Sequence, residues 1–192
     1  MIREDSEWPV IVNIPGFEGS LRSRYIMPEY DWKSRRLMEP VRSLQKVIVD
    51  YPTMQDHSFE LTKDASGYHM KPLYDHGAER IIVHPYLVEA YRDLLNNLHA
   101  EALLDDQKRP MLDVAIPFCI VTVTDEAGNT QKLEFYPTAW IDYQEEGALE
   151  QQVERYYTDK NDESIFLTQH LLMQKVFTGY EHFVSLKDFG TQ

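Results

Sequence analysis

Leu44-Gln45-Lys46-Val47-Ile48-Val49-Asp50-Tyr51, followed after a short break by Ser58-Phe59-Glu60-Leu61, is the stretch that decides the fold. Both pieces run apolar or alternate with period two, and Pro52-Thr53-Met54-Gln55-Asp56 between them is turn chemistry. A second break at Asp64-Ala65-Ser66-Gly67 leads to Tyr68-His69-Met70, so the region reads as a three-stranded meander. From Pro85 to Leu104 the period changes: Leu87, Val88, Tyr91, Leu94, Leu95, Leu98 and Ala102 recur at helical spacing. Pro85 suits the first turn, where its missing N–H is no loss. Matching apolar faces place Leu94, Leu95 and Leu98 over Val47, Val49, Phe59 and Leu61.

The pattern then repeats. Asp105-Asp106-Gln107-Lys108-Arg109-Pro110 reads as a connection. Cys119 to Thr124 and Thr130 to Tyr136 flank Asp125-Glu126-Ala127-Gly128-Asn129, whose glycine can supply a positive φ, and this predicts a hairpin. Arg155 to Thr158 and Ile165 to Leu167 flank the polar turn Asp159 to Glu163. Thr168 caps a final helix through Leu171, Leu172 and Val176 that ends near Gly179. The expected class is therefore α+β, in two meander-plus-helix units, each an antiparallel sheet covered by a helix. The expected organisation is an N-terminal strand and basic, aromatic segment over 1–43, a first unit over 44–104, a linker over 105–115 and a second unit over 116–192.

Composition narrows the function classes. With 192 residues, 43% hydrophobic and 12% aromatic, the chain can bury a substantial core. Its net charge of -13 repels phosphate backbones and anionic headgroups, which argues against nucleic acid as a partner. The charge is uneven: Ser20 to Lys46 holds seven basic residues against three acidic ones, or +4, leaving -17 elsewhere. The single cysteine, Cys119, sits in an apolar run and reads as a buried thiol. No stretch approaches the ~20 apolar residues of a membrane span. Trp8-Pro9-Val10-Ile11-Val12-Asn13-Ile14 reads as a strand in the middle of a longer protein, with a membrane contact only through an anchor in a preceding part. An unpaired strand with little charge over Val10 to Ile14 is a template for self-association, so a homodimer is expected.

No group of residues demands a particular chemistry. The seven histidines form no HxxxH or HxH pattern, and the nearest set is Asp75-His76 with His84. There is no GxSxG elbow, and a thiol in an apolar strand should have a raised pKa. Gly16-Phe17-Glu18-Gly19 lacks a phosphate loop's spacing. Glu145, Glu146, Glu150 and Glu154 lie in a stretch that is polar throughout, which reads as a solvated surface. These observations predict no catalytic residue, no metal site and no cofactor. The composition changes most over Phe17 to Arg36, where aromatic and basic residues interleave. Phe17, Arg22, Arg24, Tyr25, Trp32 and Arg35 are the candidate partner-binding residues, because rings and guanidinium forks give large contacts per ordered side chain. The partner would be another protein or the protein's own N-terminal half. The alternative is that these arginines pair within the chain.

These residues resemble a bacterial family without an assigned activity, domain of unknown function four-three-four-zero. The resemblance rests on Ile14-Pro15-Gly16-Phe17-Glu18-Gly19 followed by Arg24-Tyr25, and on Asp31-Trp32-Lys33-Ser34-Arg35 introducing an apolar strand. It continues through Val49-Asp50-Tyr51-Pro52 leading to Ser58-Phe59-Glu60-Leu61, and through Arg155-Tyr156-Tyr157 with Phe166 to Phe183. It implies a periplasmic or envelope-associated protein with an N-terminal anchor that this chain lacks, in some members beside transporter-like components of gliding motility. The implied role is a non-catalytic binding or assembly module. Two alternatives remain: a small metal-dependent hydrolase using Asp75, His76 and His84, and a carbohydrate-binding module using Trp8, Trp32 or Trp140.

Overall fold

The computed structural model describes residues 33–142 and 154–180, apart from 76, 78 and 79, together with 15 and 183. The chain divides into two compact units, Met1–Ser34 and Arg35–Gln192, and the described strands and helices belong to the second. The expected strand Trp8 to Ile14 lies outside the described residues.

Among the described residues, nine strands form one sheet. They are β1 (Leu44–Asp50), β2 (Phe59–Asp64), β3 (Gly67–Pro72), β4 (Ile81–Val83), β5 (Ala102–Leu103), β6 (Cys119–Asp125), β7 (Thr130–Pro137), β8 (Arg155–Lys160) and β9 (Ser164–Gln169). The order across the sheet is β4-β3-β2-β1-β6-β7-β8-β9-β5, and every pairing is antiparallel. The expectation of two separate sheets is therefore corrected. β1 pairs with β6, placing Val47 opposite Val123 and Val49 opposite Val121, so the two meanders are halves of one continuous sheet. The physical reason is edge satisfaction. The first strand of each meander would otherwise carry a row of unpaired N–H and C=O groups. Pairing the two rows satisfies both and fuses two apolar faces into one. Among the described residues the edges that remain are β4 with three residues and β5 with two, too short to template much further pairing.

The helices also differ from the expected pattern. The first, α1 (Pro85–Asn96), has Pro85 in its first turn and is N-capped by His84, whose imidazole nitrogen accepts from the Tyr86 N–H. It stops at Asn97 rather than running to Leu104, because Ala102 and Leu103 pair with β9 instead. Three short helices follow among the described residues: α2 (Arg109–Leu112), α3 (Thr138–Asp142) and α4 (His170–Met173). Thr168 does not cap a helix. It lies buried in β9, its hydroxyl 2.8 Å from that of Thr158 across the ladder. Leu171 and Leu172 are exposed rather than packed. The second meander thus has no long covering helix among the described residues.

One face of the sheet carries the main core. Val47, Val49, Phe59, Leu61, Met70, Val121, Leu133 and Phe135 all point to it, and Val88, Tyr91 and Leu95 of α1 complete it. The expected contact between that helix and the first meander is present, with Leu98 buried just beyond the helix and Leu94 at its margin. The segment before β1 belongs to the same core. Leu37, Met38 and Val41 are buried, and the Asn96 side-chain amide bonds both the N–H and the carbonyl of Val41 at 2.8 and 2.9 Å. The opposite face is covered over β7 to β9 by a smaller cluster of Leu112, Tyr136, Ile141, Tyr157 and Ile165.

Leu95 is almost fully buried, so Leu95→Ala should lower stability by roughly 2 to 5 kcal/mol. Leu171→Ala, at an exposed position, should change it by less than about half a kcal/mol. Denaturant melts check the pair, and equal losses would place the core elsewhere.

Candidate functional site

Of the six expected partner-binding residues, only Arg35 is among those described; Phe17, Arg22, Arg24, Tyr25 and Trp32 lie outside them. Arg35 is exposed, yet its guanidinium donates to the Glu101 carbonyl at 2.7 Å and its own carbonyl accepts from Ala100 N–H. Neighbouring cations are engaged in the same way, with Arg36 donating to the Asn96 carbonyl and Lys46 2.6 Å from Glu60. For the hydrolase alternative, His84 serves as the helix cap, Asp75 accepts the Gly77 N–H, and His76 lies outside the described residues. Cys119 is buried, and burial pushes its thiol well above the usual range, so it is not a ready nucleophile. For the carbohydrate alternative, the Trp140 indole N–H is buried without a partner and its ring packs edge-on to Phe118. The residue as a whole is half-buried.

The register of the sheet brings a different set of residues together. The carboxyl ends of β1, β3, β7 and β9 and the amino ends of β2, β6 and β8 all lie at one end of the sheet. The connections there carry six exposed large apolar residues: Met54, Tyr74, Val114, Ile116, Leu171 and Leu172, with Val114 85% and Leu171 73% exposed. From β3 to β9 there are six strand spacings, roughly 29 Å. Singly scattered exposed apolar residues are ordinary, and six of the eight large ones among the described residues lie along this end. Tyr51, Met54, His57, Phe118, Phe177 and Gly179 line a pocket of about 170 Å³ in the same row. A broader groove of about 620 Å³ follows α1, floored by Leu87, Ala90, Tyr91, Leu94 and Phe183, with Asp93 and Lys175 at its rim. Sequence reading missed this end because the residues come from four separate segments. Exposure of Leu171 and Leu172 is the reverse of what their spacing suggests.

On the opposite face lies an acidic trio. Glu134 and Asp159 are cross-strand partners, and Asp162 follows in the turn, where it and Asn161 adopt φ of 58° and 55°. One carboxylate oxygen from each lies within 4.8 Å of the others. Two cations stand against the three carboxylates: Lys132, 3.3 Å from Glu134 and 3.1 Å from Asp162, and Arg109 of α2, which is ion-paired to Asp159. Asp159 is only 3% exposed, and its second carboxylate oxygen has no hydrogen-bond partner. Burial raises its pKa, opposed by Arg109 and reinforced by Asp162 and Glu134. The arrangement clamps α2 onto the sheet. The Lys132 ammonium lies beside Glu134 and Asp162, while the second Asp159 oxygen is left open.

No family model, no curated protein and no solved structure matches the chain. Among the described residues, no helix is long and apolar enough to cross a membrane.

The clamp has a pH signature. A carboxyl whose pKa is raised on folding holds its proton more tightly in the folded state, so its contribution favours folding as pH falls and opposes it as pH rises. Arg109→Met strands the buried carboxylate and should destabilise by about 3 kcal/mol at neutral pH. The loss should shrink as pH falls through the raised Asp159 pKa, and adding Asp159→Asn should recover most of it. Melts over a pH series check this. A loss independent of pH, with no recovery in the double variant, would mean that Arg109 acts through packing.

Proposed function

We propose that this chain is a non-catalytic binding or assembly module that docks a protein partner through the apolar end of its sheet. The observation that carries the reading is the row of six exposed apolar residues along that end, at the point where the loops of both meanders meet. Soluble surfaces rarely expose such a row without a partner to cover it. The chemistry is consistent with the reading: among the described residues the cysteine is buried and His84 is a cap. The resemblance to the envelope family extends the proposal to a periplasmic or envelope-associated protein, accessory to a transporter-like or gliding-type complex. The placement in the envelope rests on that resemblance alone. A net charge of -13 favours a basic partner and disfavours nucleic acid.

Photo-reactive residues placed singly at Ile116 and Leu172 test the docking end in living cells of the source organism. Ala65 and Glu163 are exposed in turns at the opposite end and serve as controls. The expected result is a discrete protein adduct from positions 116 and 172 and none from 65 and 163. Adducts from the control positions alone, or from no position, would contradict the reading.

A further inference from the structure

The acidic trio lies towards the opposite end of the sheet from the apolar row. Its carboxylates come from β7, β8 and the turn after β8, and one oxygen of each lies within 4.8 Å of the others. Asp159 separates it from an ordinary acidic patch. That residue is 3% exposed; Arg109 pairs with one of its carboxylate oxygens, and the other is buried with no hydrogen-bond partner. An open carboxylate oxygen in the interior is costly unless a donor or a cation satisfies it. We propose that Glu134, Asp159 and Asp162 bind a Ca²⁺ ion, with Lys132 as a built-in competitor for the position.

The neighbouring groups hold the carboxylates in the manner of ligands. The Tyr136 hydroxyl donates to Glu134 Oε2 at 3.1 Å, and Glu134 Oε1 is the oxygen 3.3 Å from the Lys132 ammonium. Glu134 and Asp159 thus each keep one oxygen on a protein donor and leave the other for an ion, as outer hydrogen bonds orient metal ligands. Asp162 is exposed and supplies the third carboxylate from the solvent side, where water can complete the shell. An all-oxygen set selects a hard cation. Two ligands of one Ca²⁺ stand up to about 5 Å apart, against about 4 Å for Mg²⁺, so oxygens within 4.8 Å of one another suit the larger ion. Lys132 shows that the place takes positive charge, and its side chain, 34% exposed, can swing out to water. Displacing it costs affinity, which puts the expected Kd at the weak end of Ca²⁺ sites, on the order of 10⁻⁴ to 10⁻³ M. Arg109 stays on Asp159, so the clamp on α2 survives binding.

The test is an NMR titration of the purified chain with CaCl₂ at neutral pH, in sodium chloride sufficient to screen diffuse attraction by the net charge of -13. The amides of Glu134 and Asp159 to Asp162 should shift saturably. Asp162→Asn removes a ligand charge and keeps a residue that tolerates the φ of 58°, and it should weaken binding by about tenfold or more. Lys132→Gln should tighten binding several-fold. Glu163→Gln removes a charge from the same turn outside the trio and should leave the affinity nearly unchanged. No saturable shift at these amides in either the unsubstituted chain or the Lys132→Gln protein would overturn the proposal, and so would equal weakening by Asp162→Asn and Glu163→Gln. Ile116 and Leu172 are not part of the trio, so the outcome is separable from the test of docking.

Discussion

The antiparallel pairing of β1 with β6 is the constraint on which the rest of the structure depends. It lies at the centre of the strand order, with three strands outside it on the β1 side and four on the β6 side. Val47 and Val49 face Val123 and Val121 across it, and all four are buried. Without this ladder each meander would present an unpaired, valine-rich edge to water and lose part of its apolar cover. With it, α1 covers a floor drawn from both halves, and Tyr91 of that helix reaches the Val176 carbonyl beyond β9.

The same pairing decides what the surface can do. Because β1 and β6 run antiparallel, the connection after β1 and the segment leading into β6 emerge at the same end, which brings Tyr51 against Phe118, with His57 against Tyr51. Chain segments far apart in sequence thus form one pocket and one apolar row. The opposite face is organised by charge instead. Arg109 holds the short helix α2 over β7 to β9 by its pairing with a buried carboxylate, and Leu112 and Tyr157 pack beneath it. Burying that pair is expensive unless both partners stay together, which makes it a fastener rather than a reactive group.

Strand content was legible in the sequence and strand partnership was not. The alternation in Leu44 to Tyr51, the turn residues at Asp64 to Gly67 and the glycine at Gly128, with φ of 87°, each signalled a local event, and those strands and turns form. Periodicity reports which side of a strand is apolar. It carries no information about which strand lies beside it, so two sheets and one sheet share the same pattern. β4 and β5 were missed because three and two residues are too few to show a period. Helical spacing overran at Ala102 because a residue at helical phase can equally face inward from an edge strand. At the other end of the chain, Leu171 and Leu172 looked like a core face and are exposed. The candidate site was not legible for the same reason as the topology: its rings come from the end of β1, the start of β6 and the segment after α4.

Hydrogen exchange across the central ladder tests this account most directly. If one sheet is built on the β1–β6 pairing, the interstrand amides of Lys46–Asp50 and Ile120–Thr124 should be among the slowest in the protein. They should also exchange with a common free energy close to that of global unfolding. Fast exchange at these amides, with the strands β2–β3 and β7–β8 protected separately and to different extents, would show two independent meanders and contradict the account.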